Sequence, residues 1–105
     1  MAKIFLTEPA EYDLIDIEYY ITSHLCNSIA ADRIIDGILN IIDELVDFPD
    51  KHQFVKNELL ARLGVRMTWF DNYNIFYYYD IQADVIHILR ILYNRADWHN
   101  ILIKA

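Results

Sequence analysis

The chain has few residues that would cross-link it or bend it sharply. It contains one cysteine, Cys26, two glycines and two prolines in 105 residues. A single cysteine cannot form an internal disulfide, so we expect a reducing compartment. With 55% hydrophobic residues, the composition indicates a folded domain rather than a disordered chain. This length suits one hydrophobic core, and we expect a single domain over residues 1–105.

Long hydrophobic runs are also missing. No stretch is apolar over the length that spans a bilayer, and the amino terminus becomes acidic before a signal peptide could form. These absences predict a soluble, cytoplasmic protein with no membrane partner. The net charge of -7 argues against broad affinity for nucleic acid. We also expect no direct sequence-specific DNA binding by the chain alone.

Motifs for several common chemistries are absent. The sequence has no glycine-rich phosphate loop and no serine or cysteine nucleophile motif. His24 lies close to Cys26, but His52 and His99 stand alone, and none of them has the spacing of a metal site. His87 falls among apolar residues, which is typical of a core histidine. We therefore predict neither a metal nor another cofactor.

The charges are unevenly distributed. Residues 1–50 contain eleven acidic and two basic side chains, whereas residues 51–105 contain five acidic and seven basic ones. Two interpretations are open. Either the first half is a solvated helical surface, or the second half presents a functional cationic face.

The start of the chain predicts a strand and a helix. Lys3 to Leu6 is a short apolar run that suits an edge strand. Thr7 can act as an N-cap, and the acid and proline after it suit a first helical turn. Apolar residues then recur at helical spacing, so the first helix is predicted to run to about His24.

A second helix follows after a short connection. Asn27 or Ser28 can cap it, and Pro49 ends it near Phe48 because proline disfavours helical geometry at the preceding residue. Its apolar residues form two adjacent stripes. A band this wide needs two partners, so we expect an antiparallel hairpin with the first helix and a second contact with a sheet.

The second half of the chain predicts an antiparallel meander. Its three strands are Arg62–Trp69, Asn74–Tyr79 and Val85–Tyr93, which are rich in β-branched and aromatic residues. Asp71 and Asn72 lie between the first two strands and adopt positive φ at low cost, so they suit a tight turn.

Tight turns would set the register of this meander. The first turn would place Arg66 opposite Tyr77 and Thr68 opposite Ile75, and the second would place Ile75 opposite Arg90. Alternation then assigns the two faces. The polar face would consist of Arg62, Arg66, Thr68, Tyr77 and Arg90. The buried face would consist of Leu63, Val65, Met67, Trp69, Phe76, Tyr78, Leu89 and Ile91, together with His87.

The last stretch, Asp97 to Ile103, is short and amphipathic. It is predicted either to form a helix that docks Trp98, Ile101 and Leu102, or to stay mobile until a partner arrives.

The order of these elements resembles the RelE/ParE superfamily, the toxins of bacterial type II toxin-antitoxin systems, also called plasmid-stabilisation proteins. The resemblance covers essentially the whole chain and lies in the order and spacing of several segments. These segments are Leu45 to Pro49, Leu63-Gly64-Val65-Arg66, Asn72-Tyr73-Asn74-Ile75-Phe76-Tyr77, Ile88-Leu89-Arg90-Ile91-Leu92-Tyr93 and Arg95-Ala96-Asp97-Trp98.

The resemblance implies a compact α+β toxin with an N-terminal strand, a two-helix hairpin on an antiparallel meander and a short C-terminal helix. It also implies a cognate antitoxin as partner. Members of the superfamily inhibit growth in two ways: some cut mRNA within the ribosome without a metal, and others poison DNA gyrase.

The nuclease branch needs a base, cations for the phosphate and an acid for the leaving oxygen. Its basic positions fall at Arg62 and Gly64, at Asn74, and among Asn94 and Arg95 in this sequence. Several of these positions have therefore lost their charge. An arginine is also a poor proton acceptor, because its pKa stays above about 12.

The resulting candidate residues depend on the branch. For a nuclease they are Arg62, Arg66, Arg95 and Tyr93 or His99 as catalytic groups. For target binding they are Arg62, Arg66, Arg90, Arg95 and Trp98. Arg66 and Arg90 have the alternative of pairing with acids to frame the sheet. Tyr77, Tyr78 and Tyr79 either stack on bases or pack in the sheet.

Three functional hypotheses follow. The first is a ParE-like toxin that binds DNA gyrase, which the long helical hairpin favours. The second is a RelE-like, ribosome-dependent endoribonuclease. The third is an inactive member that binds only its antitoxin, and Ala96 bears on it because relatives often have an arginine at that position.

Overall fold

The structure, a computed structural model, describes residues 2–104, without the side chains of His99 and Lys104. Its elements in chain order are strand β1 (Lys3–Leu6), helix α1 (Glu8–Tyr19), a π-helical segment (Tyr20–His24), helix α2 (Ser28–Glu44), helix α3 (Glu58–Arg62), strands β2 (Val65–Phe70), β3 (Tyr73–Asp80) and β4 (Val85–Tyr93), and helix α4 (Trp98–Lys104). The predicted α+β class and order of elements are confirmed.

The strands form one sheet in the order β1-β4-β3-β2. β2, β3 and β4 pair antiparallel, as predicted for a meander. β1 pairs parallel with β4, with Lys3 opposite Val85 and Leu6 opposite Ile88. The predicted edge strand is therefore confirmed, and it makes the sheet mixed.

Thr7 fixes both the start of α1 and its position on the sheet. Its hydroxyl accepts a hydrogen bond from the Ala10 N–H at 3.3 Å, as an N-cap does. The same hydroxyl donates to the carbonyl of Ile88 in β4 at 2.8 Å. The helix continues to His24 as predicted, but its last five residues are π-helical.

α2 begins at the predicted cap. The Asn27 side chain accepts from the Ala30 N–H at 3.0 Å. The helix ends at Glu44, before the predicted end at Phe48, and residues 45–47 form a turn. α1 and α2 contact each other, and they cover the same face of the sheet, as the wide apolar band predicted.

The first meander strand begins later than predicted. Arg62 is the last residue of α3, which starts at the cap Asn57, whose side chain accepts from the Leu60 N–H at 3.1 Å. Gly64, with φ of 86°, then makes the turn into β2 at Val65. The capped helical turn, not a strand, therefore carries Arg62.

The first hairpin has the predicted register. Arg66 pairs with Tyr77 and Thr68 pairs with Ile75. Asp71 in the turn has a φ of 53°, as expected for an aspartate in a tight hairpin.

The second hairpin is displaced from the predicted register. Ile75 pairs with Ile91, and Phe76 pairs with Arg90. The register shifts between Phe76 and Tyr77, where Leu89 of β4 has no partner. A β-bulge of this kind adds one residue to one strand, which strict alternation cannot predict.

The predicted assignment of faces is only partly correct: Val65, Phe76 and Ile91 are buried as predicted, but other residues are not where they were assigned. Thr68 and Tyr77, assigned to the polar face, lie under the helices and are 4% and 0% exposed. Leu63 and Trp69, assigned to the buried face, are 62% and 61% exposed. The reason is that both faces of the sheet carry apolar residues. We call the face under α1 and α2 the inner face and the opposite one the outer face.

The outer face has a smaller core beneath α3 and α4. Its buried residues are Val55, Leu60, Val65, Phe76 and Leu92. Trp98, Ile101 and Leu102 of α4 pack against them, so the predicted docking of this helix is confirmed. Between residues 2 and 104, no helix combines the length and the apolar composition that crossing a membrane requires.

Candidate functional site

Arg90 lies on the outer face, but it is bound to an acid of α1. Its Nε and Nη2 atoms donate to the two carboxylate oxygens of Asp13, both at 2.8 Å. Asp13 Oδ2 also accepts from the Ile91 N–H at 2.9 Å, on the edge of β4 beyond the end of β1. The hydrogen bond to Asp13 raises the pKa of Arg90 above its ordinary value. Arg90 therefore connects α1 to β4.

Arg62 is the most exposed of the paired arginines. Its guanidinium donates to Glu58, one turn earlier in α3, and the side chains are 75% and 79% exposed. Exposed pairs of this kind contribute little to stability, because water competes for both charges. The Arg62 guanidinium therefore stays available to a partner.

Arg66 connects β2 to the loop after α2. Its Nη1 atom donates to the carbonyl oxygens of His52 at 2.6 Å and Asp50 at 3.3 Å. Its guanidinium carbon lies 4.0 Å from the centroid of the Phe54 ring, a cation–π contact. Arg66 is therefore engaged by the loop rather than displayed on the surface.

The remaining predicted residues lie at the end of β4. Arg95 is exposed in the following turn, and no acid that the structure describes is within ion-pair distance of it. Tyr93 is exposed, and its ring lies edge-on to that of Tyr73 at 5.7 Å. Trp98 packs on Phe76 in the outer core, with ring centroids 5.1 Å apart. The side chain of His99 lies outside the described residues.

Contacts within the chain already engage three of the predicted arginines. Arg62, Arg66 and Arg90 are bound by three different segments: α3, the loop after α2, and α1. Arg95 stands in a fourth segment. Of these four arginines, Arg62 and Arg95 are the ones whose guanidinium groups stay accessible to a partner.

The three consecutive tyrosines of β3 also have different surroundings. Tyr77 is fully buried on the inner face, where burial raises its pKa, so it cannot stack on a base. Tyr79 donates to Asp84 Oδ1 at 2.7 Å, a hydrogen bond that raises the pKa of Tyr79. Tyr78 is partly exposed on the outer face and stacks on His87 at 6.0 Å. His87 is thus a partly exposed residue of the outer face and not a core histidine.

A cleft of 720 Å³ opens between the end of the α1–α2 hairpin and the β2–β3 turn. We call it the hairpin cleft. Its walls include Asp16, Tyr20, Leu25, Arg33, Tyr73 and Tyr93, above apolar residues that include Ile17, Ile34 and Ile91. Cavities of this size with an apolar lining and a few polar groups are typical of binding sites.

The charges of the hairpin cleft are partly paired. Arg33 Nη1 donates to Asp71 Oδ2 at 3.3 Å, which joins α2 to the β2–β3 turn. Asp16 makes no hydrogen bond or ion pair with any residue that the structure describes. Burial raises the pKa of Tyr73, and the neighbouring Tyr93 and Asp71 raise it further.

A second, more apolar depression of 470 Å³ lies on the outer face. We call it the outer groove, and its walls include Leu60, Leu63, Val65, Tyr78, Leu89 and Leu102. Nearby, Phe5 of β1 is exposed and packs edge-on against His87 at 5.7 Å. The outer groove and these rings leave apolar surface open to a partner.

Sequence reasoning missed Asp13 and the cleft tyrosines. Asp13 lies in the buried stripe of α1, three residues after Ala10 and four before Ile17. An acidic residue at a position of the buried stripe was the sequence signal that Asp13 has a charged partner. Tyr20 and Tyr73 had no such signal, because the π-helical segment and the β2–β3 turn approach each other only in the folded chain.

The arrangement includes surfaces that suit binding. Within residues 2–104, no group of three or more histidine, cysteine or acidic side chains is arranged to hold a metal. The hairpin cleft and the outer groove both have the shape and apolar lining of binding surfaces.

The comparisons with known proteins agree with the fold. Residues 4–98 match the family model of the ParE toxin of type II toxin-antitoxin system, parDE. No curated protein sequence matches the chain.

Solved structures resemble the chain closely in fold. One, from the toxin-antitoxin complex RelBE2 of Mycobacterium tuberculosis, has a TM-score of 0.65 and 18% identity over 88% of this chain and 96% of that one. Another, from the chromosomal ParDE system of P. aeruginosa, has a TM-score of 0.72 and 20% identity over 89% and 96%. The isolated E. coli RelE toxin has a TM-score of 0.61 and 9% identity over 99% and 97%.

At these identities, the structural likeness shows a shared fold. The family model adds the assignment, because its match over residues 4–98 takes in β1, the helical hairpin and the whole meander. The chain belongs to the ParE toxin family of type II toxin-antitoxin systems.

Proposed function

We propose that this toxin inhibits growth in the cytoplasm by binding a target protein, DNA gyrase, and that a cognate antitoxin neutralises it. One observation supports a binding mechanism over RNA cleavage. Arg66 is committed to backbone carbonyls, so one of the cations predicted for the nuclease has another partner.

A metal-independent ribonuclease needs more than these residues provide. It needs a base for the attacking hydroxyl, and guanidinium groups are poor proton acceptors. It also needs cations placed together around one phosphate. Arg62 and Arg95 are exposed, on α3 and in the turn after β4, but neither can act as the base. We therefore assign these two arginines to contacts with the target.

The antitoxin is supported by the comparisons, since two of the similar structures come from a toxin-antitoxin complex and a ParDE system. The outer groove is a suitable surface for it. Leu63 at its wall and Phe5 beside it are exposed apolar residues. Contiguous exposed apolar surface usually marks a protein interface.

We expect a small reading frame beside this gene to encode the antitoxin, and its product can test the proposed surface. Its product should co-purify with the toxin, and Leu63→Glu should weaken the complex by about tenfold or more, because the charge would enter an apolar contact. Phe48→Glu changes an exposed apolar residue outside the outer groove and serves as the matched control. Equal losses for both variants would remove the assignment of the outer groove.

The target is tested by adding purified toxin to a gyrase supercoiling reaction and to a cell-free translation reaction. We expect inhibition of supercoiling and normal translation. Arg62→Ala and Arg95→Ala should each weaken inhibition severalfold, as loss of interface arginines does. Lys56→Ala changes an exposed cation in the loop before α3 and is the control.

The other outcomes separate the remaining hypotheses. Loss of translation with cleaved mRNA would establish the endoribonuclease and overturn the gyrase proposal. An inert protein in both reactions that still binds its antitoxin would identify an inactive member.

A further inference from the structure

The hairpin cleft has an acidic character that excludes some ligands. Its charged wall residues are Asp13, Asp16, Asp71 and Arg33. Two of these acids are neutralised, Asp13 by Arg90 and Asp71 by Arg33. Asp16 is exposed and has no partner among the described side chains. A phosphate or carboxylate ligand would meet this charge unfavourably, whereas a cation would be attracted.

Three tyrosines line the same cleft as this carboxylate. Tyr73 and Tyr93 lie opposite each other at the ends of β3 and β4, with ring planes at 67°. Tyr20 lies on the wall formed by the π-helical segment, and one face of its ring is stacked on His24 at 5.1 Å. Aromatic rings set at an angle to each other form the kind of enclosure that holds organic cations against their faces.

The π-helical segment helps to build this enclosure. Its wider turn forms hydrogen bonds between residues five apart, as between the Leu25 N–H and the Tyr20 carbonyl at 3.4 Å. In a regular α-helix, side chains five apart point in different directions. Here both Tyr20 and Leu25 line the cleft, one with an aromatic ring and the other with an apolar side chain.

We propose that the hairpin cleft binds a basic segment of a partner protein. An arginine side chain of that segment packs against the open ring faces of the tyrosines and pairs with Asp16, and a neighbouring large apolar side chain covers Ile17 and Leu25. Arginine suits the site better than lysine because its planar group stacks on aromatic rings. The charge complementarity defines the occupant: the hairpin half of the chain has eleven acids and two basic residues.

A second copy of the chain is a poorer occupant for the same reason. Its α1–α2 hairpin would bring further acids to the cleft. The proposal goes beyond the proposed function, because it assigns a separate site and holds whichever target the toxin inhibits.

The test uses the purified toxin and three blocked peptides that differ in one residue: acetyl-Leu-Arg-Trp-amide and the same peptide with lysine or glutamate in place of arginine. Binding is followed by amide chemical shifts in titrations up to about 10 mM, the range of weak contacts. The arginine peptide should shift the amides of Asp16, Tyr73 and Tyr93. It should bind at least about fivefold more tightly than the glutamate peptide.

Two variants connect the binding to the named groups. Tyr93→Ala should weaken binding of the arginine peptide roughly three- to tenfold by removing one ring. Asp16→Asn should weaken it about threefold and reduce its dependence on salt. Trp69→Ala and Asp32→Asn change an exposed aromatic residue and an exposed acid outside the cleft and should have no effect.

Several results would overturn the proposal: no binding at the highest concentration, equal affinity for the arginine and glutamate peptides, or shifts confined to residues outside the cleft. A concentration-dependent dimer that Tyr93→Ala disrupts would assign the cleft to a second copy instead. Because the purified chain and peptides suffice, none of these outcomes depends on the supercoiling result.

Discussion

The inner face of the sheet is covered by two long helices, α1 and α2 of 12 and 17 residues, whereas α3 and α4 on the outer face have 5 and 7. The inner core is rich in fully buried isoleucines, such as Ile38, Ile75 and Ile88. The outer core is smaller and leaves Leu63, Trp69 and Tyr78 partly or largely exposed.

Because of this difference, we infer different roles for the two faces. Buried aliphatic packing supplies most of the stability of a small domain. The inner face therefore fixes the fold, and the outer face keeps apolar surface for a partner. Asp13 links the two, because it lies in the buried stripe of α1 and binds Arg90 on the outer face.

The largest expected effect compares the two faces directly. Ile38→Ala removes a fully buried side chain between α2 and the sheet, and it should lower the free energy of unfolding by about 4 kcal/mol. Leu102→Ala removes a partly buried side chain of α4, and it should cost about 1 kcal/mol. Urea denaturation of both variants measures the difference.

Hydrogen exchange sharpens the same comparison. If α3 and α4 open separately from the rest of the fold, the amides of α4 should exchange faster than those of α2 in the native protein. Equal losses of stability, together with equal protection of both helices, would show that the two faces form one cooperative unit.

The next effect is expected at the link between the faces. Asp13→Ala leaves Arg90 without its bidentate partner and the Ile91 N–H without an acceptor, so it should cost about 3 kcal/mol in urea denaturation. Asp16→Ala, one turn later on the exposed side of α1, should change stability by less than about 0.5 kcal/mol. Similar losses of stability for the two variants would show that Asp13 does not link the two faces.

The helices and the first hairpin could be predicted because their signals are local. Thr7 and Asn27 cap their helices through side chains three residues from the groups they bind. The Asp71 turn sets its own register. Three predictions were wrong in whole or part: the faces of the sheet, the register of the second hairpin, which a bulge at Phe76 displaces, and the start of β2.

The candidate site was harder to predict for the same reason. Arg66 and Arg90 were identified from their positions in the strands, but their partners come from other elements. Asp13 is 77 residues from Arg90 in sequence, and the His52 carbonyl is 14 residues from Arg66. Such contacts decide whether these two arginines are free or paired, and a local sequence pattern does not show them.

The smallest effect concerns the loop that attaches to the inner face, and it is a dependence on pH. Burial lowers the pKa of His52 below its ordinary value of 6.5, and the charges of Lys51 and Arg66 act in the same direction overall. The unfolded chain therefore binds a proton at higher pH than the folded chain. The contribution of His52 to stability is complete above pH 6.5 and is lost as the pH falls below that value. Urea midpoints measured from pH 8 to pH 5 should decline for the wild type, and His52→Gln, which cannot titrate in this range, should decline less. A parallel decline in both proteins would show that the loop histidine does not control this pH dependence, and that the inner face holds its loop without regard to the charge of His52.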